Sequence, residues 1–127
     1  MPVKTWTTQT DFQEWTLTNL VATADGTLEL AEGASSGTAV SPVFEALNWQ
    51  HWSHLTVQCE RPAGTNVYLR VRSGQTADEC QNAEWSEYIN GVDQGGAIRF
   101  DLRTYFLNNP AAAVGPFLQI ELTLEAE

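Results

Sequence analysis

Positive charge is what this chain has least of: six Lys and Arg face 16 Asp and Glu, for a formal net charge of −10. Phosphate backbones are held by clustered cations that release counterions, and the one close basic pair is Arg70 and Arg72. Nucleic acid is therefore excluded as a partner. The acidity keeps a protein soluble and limits its self-association, or else matches a basic partner surface. Cysteine is scarce as well, with Cys59 and Cys80 too few for a disulfide framework and without metal-ligand spacing. Pairing them would contribute about 3 kcal/mol through loop closure, but free thiols are expected, with Cys59 inward beside Leu55 and Val57. No apolar stretch is long enough to span a membrane. The opening MPVKTWTTQTDF has no apolar run behind a cationic end, so no signal peptide is expected.

Helical periodicity is also missing, since no segment keeps an apolar stripe for three turns. Alternation with a period of two takes its place, in short runs punctuated by Gly, Pro, Asn and Asp. Glu14 to Thr23 reads as a first strand with Trp15, Leu17 and Val21 near one face, and Asp25 and Gly26 turn it into a return strand at Thr27 to Ala31. A strand follows the flexible EGASSG connection and is an edge, or is broken at Pro42. Leu55 to Glu60 and Asn66 to Arg72 come next, the second with Val67, Leu69 and Val71 inward and Tyr68, Arg70 and Arg72 outward. Ser73 to Asn82 reads as a polar loop, Trp85 to Ile89 as a strand, Ile98 to Arg103 as another, and Thr104 to Gly115 as irregular. The last strand sets Leu118, Ile120, Leu122 and Leu124 against Gln119, Glu121 and Thr123.

About eight strands with one apolar face each, and no amphipathic helix to cover them, must pack sheet on sheet. The expectation is an all-β fold, a two-sheet antiparallel sandwich of the jelly-roll kind, forming a single domain over 1–127 with 1–12 as a candidate N-terminal arm. A closed up-and-down barrel is the alternative; the long connections at 31–38, 73–84 and 103–115 suit crossings between sheets better.

Catalysis should leave a constellation of residues, and each kind is missing from the sequence. His51 and His54 have no third ligand, no GxSxG elbow is present, and a carboxylate pair such as Glu45 with Glu121 is cheap to find in so acidic a chain. No catalytic residue, metal site or cofactor is assigned, and the chain is expected not to be an enzyme. Aromatic residues carry more information: five Trp, five Phe and three Tyr. Trp15 and Trp85 lie on alternating runs and are expected in the core; Trp6, Trp49 and Trp52 lie outside clear strands and suit a partly exposed platform. Tyr68, Arg70 and Arg72 form a second candidate surface, which a merely solvated sheet face would explain equally well.

The segments SGTAVSPVFEA, PAGTNVYLRVRSG, AEWSEY and PFLQIELTLEA, in that order, resemble a recurring β-sandwich domain of bacteriophage tail, baseplate and other virion proteins and of carbohydrate-binding accessory domains. The resemblance implies a module that decorates, joins or recognises without chemistry. It points to a structural or accessory subunit of a virion (tail, baseplate or capsid decoration), assembled in the host cytoplasm and contacting other virion proteins or itself as a homo-oligomer. The alternative it leaves is a carbohydrate-binding module that reads a cell-surface glycan through Trp49, Trp52, Tyr68, Arg70 and Arg72.

Overall fold

The computed structural model describes residues 6, 8–24, 26–46, 52–58, 66–89 and 91–126. Trp49, His51 and Cys59, each named above, lie outside them. The chain folds as an all-β protein of about ten strands in antiparallel sheets, with a few short helices.

Helix α1 (Gln9–Gln13) begins at Thr8, whose hydroxyl accepts from the Asp11 N–H while the Asp11 carboxylate accepts from the Thr8 N–H. This reciprocal cap supplies partners for the first turn of a helix too short to be stable alone. It occupies part of the expected N-terminal arm, and Trp6 and Phe12 pack against the core. The expected strand from Glu14 to Thr23 is divided into β1 (Thr16–Thr18) and β2 (Leu20–Ala22) by Asn19, which sits at φ 58. Asn tolerates this left-handed conformation better than most residues, and the bend resets which side chains face inward. Trp15 and Leu20 are therefore buried, whereas Val21, expected inward, is exposed.

β2 pairs with β3 (Leu28–Leu30) as a hairpin. β4 (Ser36–Val40) and β5 (Phe44–Glu45) run along the same neighbour and are interrupted at Pro42, which has no N–H to give. Ser41 bridges the interruption: its N–H donates to the Ile120 carbonyl at 2.9 Å and its hydroxyl accepts from the Ile120 N–H at 3.0 Å. β4 is not an edge, because β1 pairs on its other side. Gly37 is required there, since a Cβ would come within 2.7 Å of the Thr18 and Asn19 carbonyl oxygens.

β6 (His54–Gln58) and β7 (Asn66–Gly74) follow, the second two residues longer than expected. The polar loop expected after it contains α2 (Ala77–Asn82), capped by Thr76 and anchored by the fully buried Cys80. β8 (Gly91–Asp93) and β9 (Ala97–Asp101) form a hairpin, and α3 (Leu102–Asn108) takes the end of the strand expected over Ile98 to Arg103 and the start of the stretch read as irregular. β10 (Phe117–Glu125) completes a five-stranded sheet in which β10 is central, flanked by β4 and β5 on one side and β7 on the other. The order β6-β9-β8 makes a second, three-stranded sheet.

One hydrophobic cluster joins these sheets. Ala39, Leu69, Val71, Leu118, Ile120 and Leu122 come from the larger sheet, Ile98 and Phe100 from the smaller, and Trp15, Leu20 and Leu102 complete it. The inward positions Leu69, Val71, Leu118, Ile120 and Leu122 are buried, as period-two alternation requires, but Gln119 and Glu121 on the opposite face are buried as well.

Candidate functional site

The opposite face of the large sheet is not a solvated surface. Across the β7–β10 register Arg70 lies opposite Glu121 and Arg72 opposite Gln119. Arg70 Nε and Nη2 donate to the two Glu121 carboxylate oxygens at 2.8 and 3.0 Å, a forked geometry that suits guanidinium to carboxylate. That hydrogen bond holds the Arg70 pKa above its ordinary value despite the opposing effect of burial. Arg72 Nε donates to Gln119 Oε1 at 2.7 Å, and Gln119 Nε2 passes the chain on to the Ser41 carbonyl at 2.8 Å. Gln119 and Glu121 are both buried, and each has found its partner, as buried polar groups must.

Residues 85–89 close this face from the open edge of β7. The Ser86 N–H donates to the Val71 carbonyl, the Val71 N–H donates to the Ser86 hydroxyl, and the Ile89 N–H donates to the Leu69 carbonyl. The pairing is irregular, with one bridge at Leu69 and Ile89. Trp85 is thereby carried outside the core that alternation predicted for it, and it lies half-buried over the arginines. The Arg72 guanidinium is 4.4 Å from the centre of its ring and that of Arg70 is 5.3 Å away. Tyr88 sits 5.8 Å from Arg70 and stacks at a tilt on Tyr68, ring centres 5.5 Å apart. Such contacts hold the guanidinium planes against the negative faces of the rings.

The sequence-derived site residues thus separate. Tyr68, Arg70 and Arg72 are brought together, but both guanidinium groups are engaged by Glu121, Gln119 and Trp85. Trp52 belongs elsewhere: its indole N–H donates to the Gly115 carbonyl at 2.8 Å, and its ring packs edge-on against Phe44 at 5.9 Å. Trp52 and Trp6 are partly buried and pack against the core. Trp15 is in the core as expected. His54 is exposed at the start of β6, with its Nδ1 3.1 Å from the Ser53 hydroxyl. Cys80 is a free thiol; burial pushes its pKa up, more than nearby Arg72 draws it down.

What sequence reasoning missed is the surface beside this cluster, where Tyr88 and the start of α3 form a groove. Asp101 caps α3, its two carboxylate oxygens accepting from the Thr104 N–H at 3.0 Å and the Thr104 hydroxyl at 2.8 Å. The spacing Asp-x-x-Thr was visible in the sequence as a helix-start signal. Among the described residues no three His, Cys, Asp or Glu side chains converge as metal ligands, and no helix is long and apolar enough to cross a membrane. Comparison with known proteins returns no family model, no curated protein and no solved structure that matches the chain.

Proposed function

We propose that this protein is a non-enzymatic accessory subunit of a bacteriophage virion, acting through protein contacts made at the β8 edge of its smaller sheet. The virion setting rests on the sequence resemblance, and a jelly-roll-like sandwich is the finer form we assign to the antiparallel sheets. The observation that carries the contact surface is β8 itself. All three of its residues are exposed, Val92 at 65%, and it pairs with β9 alone among the described strands. An edge strand presents backbone donors and acceptors that a second chain can continue. With 16 acidic against six basic residues, the chain suits a basic partner in the assembly better than a second copy of itself.

The test is mass spectrometry of purified particles from cells producing the protein with Val92 or with Val92→Asp. The wild-type chain is expected in the particles, and the variant, folded by circular dichroism, is expected to be depleted from them. A wild-type chain missing from the particles would remove the assembly role. Equal incorporation of the variant would remove the β8 contact.

A further inference from the structure

β7 is nine residues long, with no carboxylate and no proline, and β10 is the strand it pairs with in the large sheet. A free edge of that length and composition is a template on which another chain can build. The two arginines of β7 do not blunt the edge, because Glu121 and Gln119 hold them over the outer face of the sheet. A net charge of −10 repels a second copy of the chain, but β7 itself contributes no acidic group to that repulsion.

Residues 85–89 take up the edge groups instead. The Val71 carbonyl accepts from the Ser86 N–H at 2.8 Å, the Leu69 carbonyl accepts from the Ile89 N–H at 2.7 Å, and the Val71 N–H donates to the Ser86 hydroxyl at 2.9 Å. The last of these bonds ends the sheet. A side-chain oxygen stands where a further strand would set a backbone carbonyl, and the same hydroxyl donates to the Glu87 carbonyl at 2.8 Å, so that acceptor is used within the segment. With a single bridge, at Leu69 and Ile89, the segment satisfies β7 without becoming a strand that could be extended in turn. It is also fastened from outside the core. Trp85 lies over Arg72 and Arg70, Tyr88 packs on Tyr68 while 54% exposed, and neither ring belongs to the hydrophobic cluster. A segment held by exposed rings and three hydrogen bonds can open while the sheet beneath keeps its packing.

We propose that residues 85–89 are a removable cover on the β7 edge, which keeps the large sheet from pairing with the β7 of a second copy of the chain. The inference does not depend on the assembly role, and it leaves β8 open to a partner. Two variants lift the cover by different means: Trp85→Gly with Tyr88→Gly removes the rings that fasten it, and Ser86→Pro removes both the donor and the hydroxyl that meet Val71. Analytical ultracentrifugation of the full chain from about 5 to 500 µM is expected to show both variants self-associating with a dissociation constant about tenfold or more below that of the wild type. The peptide EWSEYI, residues 84–89, added at about 1 mM should reverse the association by occupying the edge in place of the lost cover. Adding Val92→Asp to each variant should leave the association unchanged, because β8 takes no part in it. The proposal is overturned if both variants, folded by circular dichroism, sediment as the wild type does, or if their association survives the peptide or vanishes with Val92→Asp. Loss of the fold in both variants would overturn it as well, since the segment would then be part of the sheet's framework and not a cover upon it.

Discussion

The Arg72 guanidinium lies 4.4 Å from the centre of the Trp85 ring, on the face of the large sheet turned away from the core. This contact ties residues 85–89 to β7 together with the three backbone-directed hydrogen bonds beside it. A half-buried cation over an indole contributes about 0.5–2 kcal/mol. Trp85→Leu and Arg72→Met, taken singly and together in urea denaturation, should give a coupling energy within that range. Coupling indistinguishable from zero would make the two residues mere neighbours.

Arg70 and Glu121 should behave asymmetrically. The Glu121 side chain is 10% exposed and that of Arg70 33%, so removing the arginine strands a nearly buried carboxylate. A fully buried pair broken on one side loses about 3–5 kcal/mol; solvent reaching Arg70 reduces this, and Arg70→Ala should cost about 2 kcal/mol. Replacing both partners, as Arg70→Met with Glu121→Leu, should restore most of the loss. Chemical denaturation of the two variants beside the wild type checks the order.

Acid should weaken the start of α3. The bonds from the Thr104 backbone and then its hydroxyl hold the Asp101 carboxyl below its ordinary pKa. A carboxyl with a folded pKa below its unfolded one stabilises the fold above the unfolded value, and the contribution is lost as pH falls through the folded value. The stability difference between wild type and Asp101→Ala should therefore be full near pH 6 and should shrink below about pH 4. A difference independent of pH across that window would show that the cap contributes only through helix geometry.

The long strands were legible in the sequence and the helices were not, for a common reason. β7 and β10 run nine residues each, long enough for alternation to name the apolar core positions Leu69, Val71, Leu118, Ile120 and Leu122. The helices run five to seven residues, too short to draw an apolar stripe, and they depend on Thr8, Thr76 and Asp101 as caps. Those caps were readable three residues before Asp11, Glu79 and Thr104, a local signal outweighed by the stronger period-two pattern around it. Trp85 was misread because residues 85–89 run beside β7 without forming a regular strand, joined to it by one bridge at Ile89, so alternation does not hold there. The Arg70–Glu121 fork lies 51 residues apart in sequence, so only the register of β10 on β7 brings it together. For the same reason Tyr68, Arg70 and Arg72 were rightly grouped, while what occupies them could not be read.

The most direct test of the assembly role is amide hydrogen exchange at β8, compared between free protein and protein incorporated into particles. β8 is a three-residue strand with all residues exposed, and its amides should exchange readily in the free chain. If the edge is continued by a partner, protection should rise by about tenfold or more at Gly91–Asp93 while β10 stays unchanged. Identical exchange at β8 in the two states would contradict the account.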